Sequence, residues 1–362
     1  MKLQEYLQAV SPLNEAAMAQ ARKRQAQLAK PPGSLGRLEE LSVQLAGITG
    51  QTCPKIEKKH LLVFAADNGV VAEGVSSAPQ SVTLQQAVNL TRGKTGAAVL
   101  CKHFGCDITV CDVGIQAEVR ESAVLNRKIA YGTQNIAKGS AMRREQAERA
   151  ILTGIELAMK TEADVLGIGE MGIGNTTTSS AVASVLLSAP VEDVTGRGGG
   201  ITDESFRKKK AVIRTAIAVN QPDKNDVTDV LAKVGGFDLA AMCGAFIGAA
   251  VTHRPVVIDG FISAVAALCA ARLCPNVRDY LISGHASYEL GFRRVMEALE
   301  LKPMLLLGMR LGEGSGCPLT FQVLEAACAV IREMATFEQA NIDDAYLDEI
   351  RAGDSFTVEG AV

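Results

Sequence analysis

Short runs of consecutive apolar residues recur along the middle of the chain, and each ends at a polar residue or a glycine. They occupy residues 61–66, 108–111, 165–168, 256–258, 280–282 and 304–307. Continuous apolar runs without alternation are typical of strands that are buried on both faces. Stretches with helical spacing lie between them, at 82–102, 141–160, 203–218, 238–251 and 287–299. This alternation predicts an α/β fold, with a mostly parallel sheet and helices on both of its faces.

The two ends of the chain have the apolar spacing of helices. Asn14 is placed to cap a helix that reaches residue 28, and Ser34 to cap a second helix that ends at Gly50. Another helical stripe covers residues 318–334. We predict that residues 1–57 and 309–362 together form a small helical domain. Residues 58–308 would then form the large α/β domain.

Composition excludes several classes of protein. The net charge is −3 with interspersed signs, whereas a nucleic-acid-binding protein needs a basic face. The nine cysteines form no C-x-x-C pair and the four histidines have no metal-binding spacing, so we expect packed, reduced thiols and no metal. The N-terminus lacks the apolar core of a signal peptide, and no apolar stretch reaches the roughly 18 residues of a membrane span. We therefore expect a soluble, cytoplasmic protein.

Polar residues follow the predicted strands at the point where each strand ends. They are Asp67, Asp112, Glu170, Asp259 and Ser283. Ligands of open parallel sheets lie beyond the carboxyl ends of the strands, so each of these residues is a candidate for the site. An acid in this position can equally cap the helix that follows.

A first glycine-rich loop covers residues 167–177 and joins a predicted strand to a helix. Its glycines allow close backbone approach to a ligand, and the helix N-terminus favours an anion. The loop matches the dinucleotide fingerprint G-x-G-x-x-G, which is typical of a nicotinamide-dependent dehydrogenase. Glu170 inside the fingerprint disfavours a pyrophosphate, and Pro190 disfavours the second strand that such a site requires.

Two further glycine clusters complete the candidate chemistry. Residues 192–200 form a glycine turn before a helix that carries Lys208, Lys209 and Lys210, an arrangement suited to one monophosphate rather than a triphosphate. Residues 308–316 present Glu313 between glycines directly after a predicted strand. A carboxylate on such an open loop indicates a general base, although it could also cap the helix that begins near residue 318.

A set of motifs spread over nearly the whole chain carries a family resemblance. They are Lys30-Pro31-Pro32-Gly33-Ser34-Leu35-Gly36-Arg37-Leu38-Glu39, Ala66-Asp67-Asn68-Gly69-Val70, Gly74-Val75-Ser76, Val82-Thr83-Leu84-Gln85, Gly169-Glu170-Met171-Gly172-Ile173-Gly174-Asn175-Thr176-Thr177, Thr195-Gly196-Arg197-Gly198, Gly235-Gly236-Phe237-Asp238 and Arg310-Leu311-Gly312-Glu313-Gly314. In these motifs the chain resembles the nicotinate-nucleotide–dimethylbenzimidazole phosphoribosyltransferases. The resemblance implies transfer of a phosphoribosyl group from nicotinate mononucleotide to 5,6-dimethylbenzimidazole, which gives α-ribazole 5′-phosphate and nicotinate. It also implies a Rossmann-like large domain, a small helical domain, a homodimer and neither metal nor cofactor.

The resemblance assigns expected roles to individual residues. Glu313 would be the catalytic base, and Glu170 a second acid in the site. The residues expected to surround the aromatic base are Ser76, Gln85, Met171 and Leu311. The residues expected to hold the ribose and the phosphate are Gly172, Gly174, Asn175, Thr176, Gly196, Gly198, Lys209 and Ser287.

The chain departs from the family pattern at Asn68, where His is frequent, and at Gly199, where Thr is frequent. These positions bear on which base is accepted. Some relatives act as heterodimers that attach phenol or p-cresol through oxygen, so a subunit of that kind, or a non-catalytic partner subunit, is an alternative. The intact Glu313 favours a catalytic chain.

Overall fold

The structure, a computed structural model, describes residues 2–353 and is built around one six-stranded sheet. The strands are β1 (Lys59–Ala66), β2 (Asp107–Gly114), β3 (Val124–Asn126), β4 (Val165–Met171), β5 (Val256–Ile258) and β6 (Leu281–Ser283). Their order is β3-β2-β1-β4-β5-β6, and every neighbouring pair is parallel. This is the strand order of the doubly wound Rossmann sheet, with its switch point between β1 and β4. The predicted fold class is confirmed.

Fifteen helices are assigned within the described residues. They are α1 (Leu3–Ala9), α2 (Glu15–Gln27), α3 (Arg37–Thr49), α4 (Ser81–Thr91), α5 (Gly96–His103), α6 (Arg144–Lys160), α7 (Asn175–Leu187), α8 (Val191–Val194), α9 (Asp203–Asn220), α10 (Val227–Val234), α11 (Phe237–Val251), α12 (Phe261–Leu273), α13 (Gly291–Leu299), α14 (Cys317–Glu333) and α15 (Asp348–Gly353). Short 3₁₀ turns cover Gly69–Glu73, Pro275–Tyr280 and Ala345–Leu347.

Several predicted elements differ from the observed ones. The apolar run at 304–307 is not a strand: it makes one isolated bridge, from Leu305 to His285, and Leu306 and Leu307 are exposed. The predicted helix at 82–102 is two helices, α4 and α5, separated by a turn in which Gly93 has φ +69°. Strand β3 and helices α10 and α12 were not predicted.

The chain divides into two compact units, residues 2–11 with 58–320 and residues 12–57 with 321–353. This division differs from the predicted domain ranges in two places. Helix α1 belongs to the first unit because it packs on α6 and α11 and because Asn276 Nδ2 donates to Val10 O at 3.0 Å. Residues 309–320 also belong there, since the Gly316 amide donates to Asp259 Oδ1 at 2.7 Å.

Glycines allow two helices of the first unit, α6 and α11, to pack closely. In α11, a Cβ at Gly244 would lie 1.8 Å from Ile151 O of α6, and a Cβ at Gly248 would lie 2.5 Å from Ile155 O. Both positions therefore require a residue without a side chain. Eight of the nine cysteines are buried and all nine are free, as expected for packing residues.

The second unit consists of α2, α3, α15 and most of α14. Ala21, Ala46 and Ile331 form a buried cluster, and Arg24 donates to the carbonyl oxygen of Ile331 at 3.2 Å. Asn14 Oδ1 accepts the Ala17 amide at 2.9 Å, so the predicted cap of α2 is confirmed. The predicted cap of the next helix was wrong, because α3 begins after Gly36, not at Ser34.

No helix within residues 2–353 combines the length and the apolar character that crossing a bilayer requires.

Candidate active site

A cavity of about 270 Å³ lies where the chain leaves the carboxyl ends of β4, β5 and β6. Side chains and backbone from five segments of the first unit form its wall. These segments are residues 75–86, 170–176, 197–201, 259–263 and 285–313. The cavity therefore occupies the edge at which open parallel sheets bind their ligands.

Glu313 is almost entirely buried in the wall of this cavity, with 5% of its surface exposed. Gln86 Nε2 donates to its Oε1 at 3.3 Å, whereas Oε2 has no hydrogen-bond partner among the described residues. Burial raises the pKa of the Glu313 carboxyl, and the charge of Asp259 adds to this effect. The Ala97 amide and the Thr95 hydroxyl at the start of α5 oppose it. The side chain is thus a buried carboxyl group of the cavity wall with an increased affinity for a proton.

Glycines in the Glu313 loop and in β4 allow the backbones of these two segments to pack closely. Glu313 itself has φ +63°, between Gly312 at +82° and Gly314 at +80°. A Cβ at Gly169 in β4 would lie 2.6 Å from the Gly314 amide nitrogen, and a Cβ at Gly312 would lie 2.5 Å from Glu170 Oε1. The loop therefore lies directly on the backbone of β4, which fixes the position of Glu313.

Glu170, near the end of β4, is the second buried acid in the cavity wall. Burial raises the pKa of Glu170 to about 8, and the charges of Asp238 and Asp259 act in the same direction. Asn175 Nδ2 donates to Glu170 Oε2, and also to Asp238 Oδ2 at 3.1 Å. Burial likewise raises the pKa of Asp238 to about 6. A carboxyl group with a pKa of about 8 is mostly protonated at neutral pH.

Asp259 follows β5 and binds the loop that carries Glu313. Its Oδ2 accepts the Gly314 amide at 3.1 Å, and its Oδ1 accepts the Gly316 amide at 2.7 Å. His285 Nε2 lies 3.3 Å from the same Oδ1. Burial disfavours the charged form of His285, but the hydrogen bond and the charge of Asp259 outweigh this, so the pKa of His285 is raised.

The first two glycine loops meet in the cavity wall. Gly174, with φ +92°, precedes α7, and a Cβ at Gly172 would lie 2.5 Å from Ala66 O. A Cβ at Gly198 would lie 2.8 Å from Thr176 Oγ1, so the second glycine turn lies against the start of α7. The N-terminus of α7, where the helix dipole favours an anion, thereby forms part of the cavity wall.

Lys209 lies behind this wall and is fully buried. Its Nζ donates to Thr176 Oγ1 at 2.9 Å and to Gly196 O at 3.0 Å, which ties the two glycine turns together. Burial lowers the pKa of Lys209 to about 8, although the nearby Glu289 carboxylate opposes the change. Burial raises the pKa of Glu289, and Lys209 opposes that change in turn.

Eleven of the fourteen site residues predicted from the sequence line the cavity. They are Ser76, Glu170, Met171, Gly172, Gly174, Asn175, Thr176, Gly198, Ser287, Leu311 and Glu313. Lys209 and Gly196 do not line it, because they form the layer behind Thr176. Gln85 does not line the cavity, because it is exposed on α4; the next residue, Gln86, lines the cavity and donates to Glu313.

Of the other strand-end residues, Asp67 and Asp112 do not line the cavity. Asp67 Oδ2 accepts the Gln116 amide at 2.8 Å, and Asp112 pairs with Lys128 at 2.8 Å. Ser283 Oγ donates to Met296 Sδ at 3.2 Å. These three residues bind neighbouring protein groups outside the cavity, and the contacts named here are not the helix caps that were the alternative for a strand-end acid.

Several polar residues of the cavity wall had no predicted role, among them Gln86, His285, Glu289 and Arg310. His285 and Glu289 lie two and six residues beyond the end of β6, so their position after a strand is the sequence signal that could have identified them as site residues. Within residues 2–353, no group of three or more His, Cys, Asp or Glu side chains is placed to hold a metal ion.

The strand order, the glycine turn before α7 and the buried acids at the strand ends define the class of protein: a doubly wound α/β enzyme whose site suits a nucleotide. A family model described as phosphoribosyltransferase matches residues 10–342. The nicotinate-nucleotide–dimethylbenzimidazole phosphoribosyltransferase of Clostridium tetani is 49% identical over 353 residues, or 96% of this chain and 98% of the relative. The protein of the same name from Ruminiclostridium cellulolyticum is 50% identical over 346 residues, or 95% of this chain and 98% of the relative.

The crystal structure of CobT from Thermus thermophilus matches with a TM-score of 0.88 at 40% identity, and the match covers 91% of this chain and 100% of that one. The chain therefore belongs to the nicotinate-nucleotide–dimethylbenzimidazole phosphoribosyltransferase family. The resemblance inferred from the motifs is confirmed. The dehydrogenase interpretation of the first glycine loop is wrong.

Proposed function

We propose that this enzyme transfers the 5-phosphoribosyl group of nicotinate mononucleotide to 5,6-dimethylbenzimidazole, with Glu313 as the general base. The names of the relatives support the reaction. The observation that carries the role of Glu313 is its place in the cavity wall together with the burial that raises the pKa of its carboxyl group. A base must reach the proton that it removes, and its pKa works best when raised toward the working pH.

The chemistry requires a single displacement. One ring nitrogen of the neutral benzimidazole attacks C1′ with its lone pair, while the bond from C1′ to the pyridinium nitrogen breaks and its electrons neutralise the departing nicotinate. The proton on the second benzimidazole nitrogen becomes acidic as the new bond forms, and Glu313 takes it. Attack from the face opposite nicotinate converts the β configuration to α.

We assign Glu170 a different role from Glu313 because its pKa of about 8 keeps it protonated near neutral pH. Two acids whose environments separate their pKa values commonly divide acid and base functions. A protonated Glu170 can donate a hydrogen bond to a ribose hydroxyl. The Asn175 amide keeps the carboxyl group oriented for this contact.

The nucleotide phosphate is proposed to bind at the start of α7, between Thr176, Gly198 and Ser287. The glycine turn and the α7 N-terminus support this assignment. Lys209 would act from behind the wall, since its ammonium group holds Thr176 in place and contributes positive charge. A phosphate that binds near Lys209 would favour its protonated form.

The aromatic base is proposed to lie between Ser76, Met171 and Leu311, next to Glu313. Leu311 is 58% exposed and Met171 is buried, so the apolar wall is open on one side. Gln86, rather than the predicted Gln85, supplies the polar group beside Glu313. The pocket therefore offers a carboxylate and an amide to the edge of a flat heteroaromatic ring.

A homodimer is the oligomeric state that we propose. Tyr288, Leu290, Leu306, Leu307 and Leu311 are large apolar side chains that are each more than half exposed, and all lie within residues 288–311. Exposed apolar groups concentrated in one segment are typical of a protein contact. Sedimentation equilibrium of the purified chain tests this state directly.

We also propose a cytoplasmic location, where the buried free thiols would remain reduced.

A product assay with a panel of bases tests the proposed reaction. The protein is incubated with nicotinate mononucleotide and either dimethylbenzimidazole, benzimidazole, adenine, phenol or p-cresol, and the products are separated by chromatography and identified by mass. We expect nicotinate release and a new α-nucleotide, with dimethylbenzimidazole the preferred acceptor. Preference for a phenol would instead identify a phenol-activating subunit, and no product from any base would support a non-catalytic partner.

A further inference from the structure

Asp259 binds the backbone of the Glu313 loop. The proposed reaction gives this carboxylate no role. The two oxygens of Asp259 accept the amides of Gly314 and Gly316, the first and third residues after Glu313. Both hydrogen bonds are buried, as is Asp259 itself. Charge-assisted bonds from backbone amides to a buried carboxylate are shorter and stronger than neutral ones.

The loop needs such an anchor because its backbone conformation is unfavourable. Glu313 adopts φ +63°, a region that residues with side chains rarely occupy. Conformations of this kind persist only where the surrounding structure holds them. Asp259 supplies two of the holding contacts from β5, and Glu170 supplies a third by accepting the Glu313 amide at 3.4 Å.

His285 and the glycines complete the anchor. His285 Nε2 lies 3.3 Å from Asp259 Oδ1, the oxygen that also accepts the Gly316 amide. A Cβ at Gly316 would lie 2.2 Å from His285 Cδ2 and 2.8 Å from Asp259 Oδ1. The loop backbone thus approaches the pair more closely than any residue with a side chain would allow.

We infer that Asp259, supported by His285, is a positioning residue that sets the location of the Glu313 carboxylate for proton transfer. This inference rests on the proposed role of Glu313. Asp259 acts through the loop, so its loss should lower kcat and leave nicotinate mononucleotide binding nearly unchanged. A displacement of about 1 Å at a reacting group lowers the reaction rate by about a hundredfold.

The test is a double-mutant cycle of Asp259→Asn and Glu313→Gln, with kcat measured under saturating substrates. In Asp259→Asn one oxygen becomes an amide donor that faces a backbone amide, so one of the two loop contacts is lost. We expect a decrease in kcat of roughly ten- to a hundredfold. In the Glu313→Gln background the same change should have almost no further effect, because there is no longer a base to position.

Asp112→Asn is the matched control. Asp112 is equally buried, lies near the end of β2 and accepts the amides of Gly114 and Ile115 at 3.0 and 2.8 Å, but it does not line the cavity. Its substitution should reduce stability and leave kcat at the wild-type value. If Asp259→Asn does not fold, His285→Leu replaces it in the cycle. This substitution removes the contact of His285 with Asp259 and keeps both hydrogen bonds between Asp259 and the loop.

The results distinguish failure of the positioning role of Asp259 from failure of the general-base role of Glu313. Effects of Asp259→Asn and Glu313→Gln that multiply would overturn the positioning role and leave the general base intact. A folded Asp259→Asn protein with wild-type kcat would also overturn it. If Glu313→Gln alone keeps wild-type kcat, the general-base role fails, and the positioning role fails with it.

Discussion

Replacement of Gly169 by alanine tests whether the position of the Glu313 loop controls catalysis. Gly169 lies in β4, and a Cβ there would be 2.6 Å from the Gly314 nitrogen and 2.7 Å from the Glu313 carbonyl carbon and oxygen. Carbon atoms pack best at about 3.5 Å or more, so the loop must move by about 1 Å to accommodate one methyl group.

The displacement predicts two separate effects. Overpacking of this kind costs about 1–3 kcal/mol of folding free energy. A shift of about 1 Å at a reacting group lowers kcat by about a hundredfold, whereas the nucleotide site at α7 stays in place. We therefore expect a modest decrease in thermal stability, a large decrease in kcat and an almost unchanged dissociation constant for nicotinate mononucleotide.

The assays are thermal unfolding, calorimetric titration of the nucleotide and the initial rate of nicotinate release. Gly248→Ala is the matched control, because its Cβ would lie 2.5 Å from Ile155 O between α11 and α6, away from the cavity wall. That variant should lose stability and keep its kcat. A Gly169→Ala protein that is folded and retains wild-type kcat would refute the link between loop position and rate.

Three further changes have distinct expected results. Gln86→Leu should lower kcat/KM for the base by roughly tenfold through loss of a hydrogen bond to a carboxylate, whereas Gln85→Leu, on the exposed side of α4, should match wild type in the same rate assay. Lys209→Met should raise the calorimetric Kd for nicotinate mononucleotide by about tenfold, whereas an effect no greater than that of Lys208→Met would exclude a role in phosphate binding. The folded pKa of Glu170, about 8, exceeds its ordinary 4.5, so its contribution to stability is full below the ordinary pKa and is lost as pH rises through about 8. The unfolding temperature of Glu170→Gln relative to wild type should therefore increase from acidic to alkaline pH, and a difference that does not change with pH would contradict a raised pKa.

The sequence predicted the central strands because buried parallel strands leave a strong local signal. The runs at 61–66, 108–111, 165–168 and 256–258 are continuous and apolar, and all four form strands of the sheet. The run at 304–307 has the same composition but lies on the surface. Apolar composition alone cannot distinguish a buried strand from an exposed apolar segment, because burial depends on neighbours that are distant in sequence.

The sequence predicted site residues that belong to a local motif. It did not predict residues whose role depends on a contact with a distant part of the chain. Glu170 and Glu313 stand out because glycines flank them. Choosing between Gln85 and Gln86 required the rotational phase of α4, which sets the face that each residue occupies. The bonds from Asp259 to the loop join residues 55 and 57 positions apart and leave no local pattern.

The turnover of Glu313→Gln tests the central claim of a general base most directly. The substitution keeps the size of the side chain and removes its ability to accept the proton. Under saturating nicotinate mononucleotide and dimethylbenzimidazole, we expect kcat to decrease by roughly two to four decades, the usual contribution of a general base. The wild-type rate should also decrease as pH falls through the raised pKa of Glu313, and the variant should lack this limb. A variant with wild-type kcat and the same pH profile would contradict the assignment.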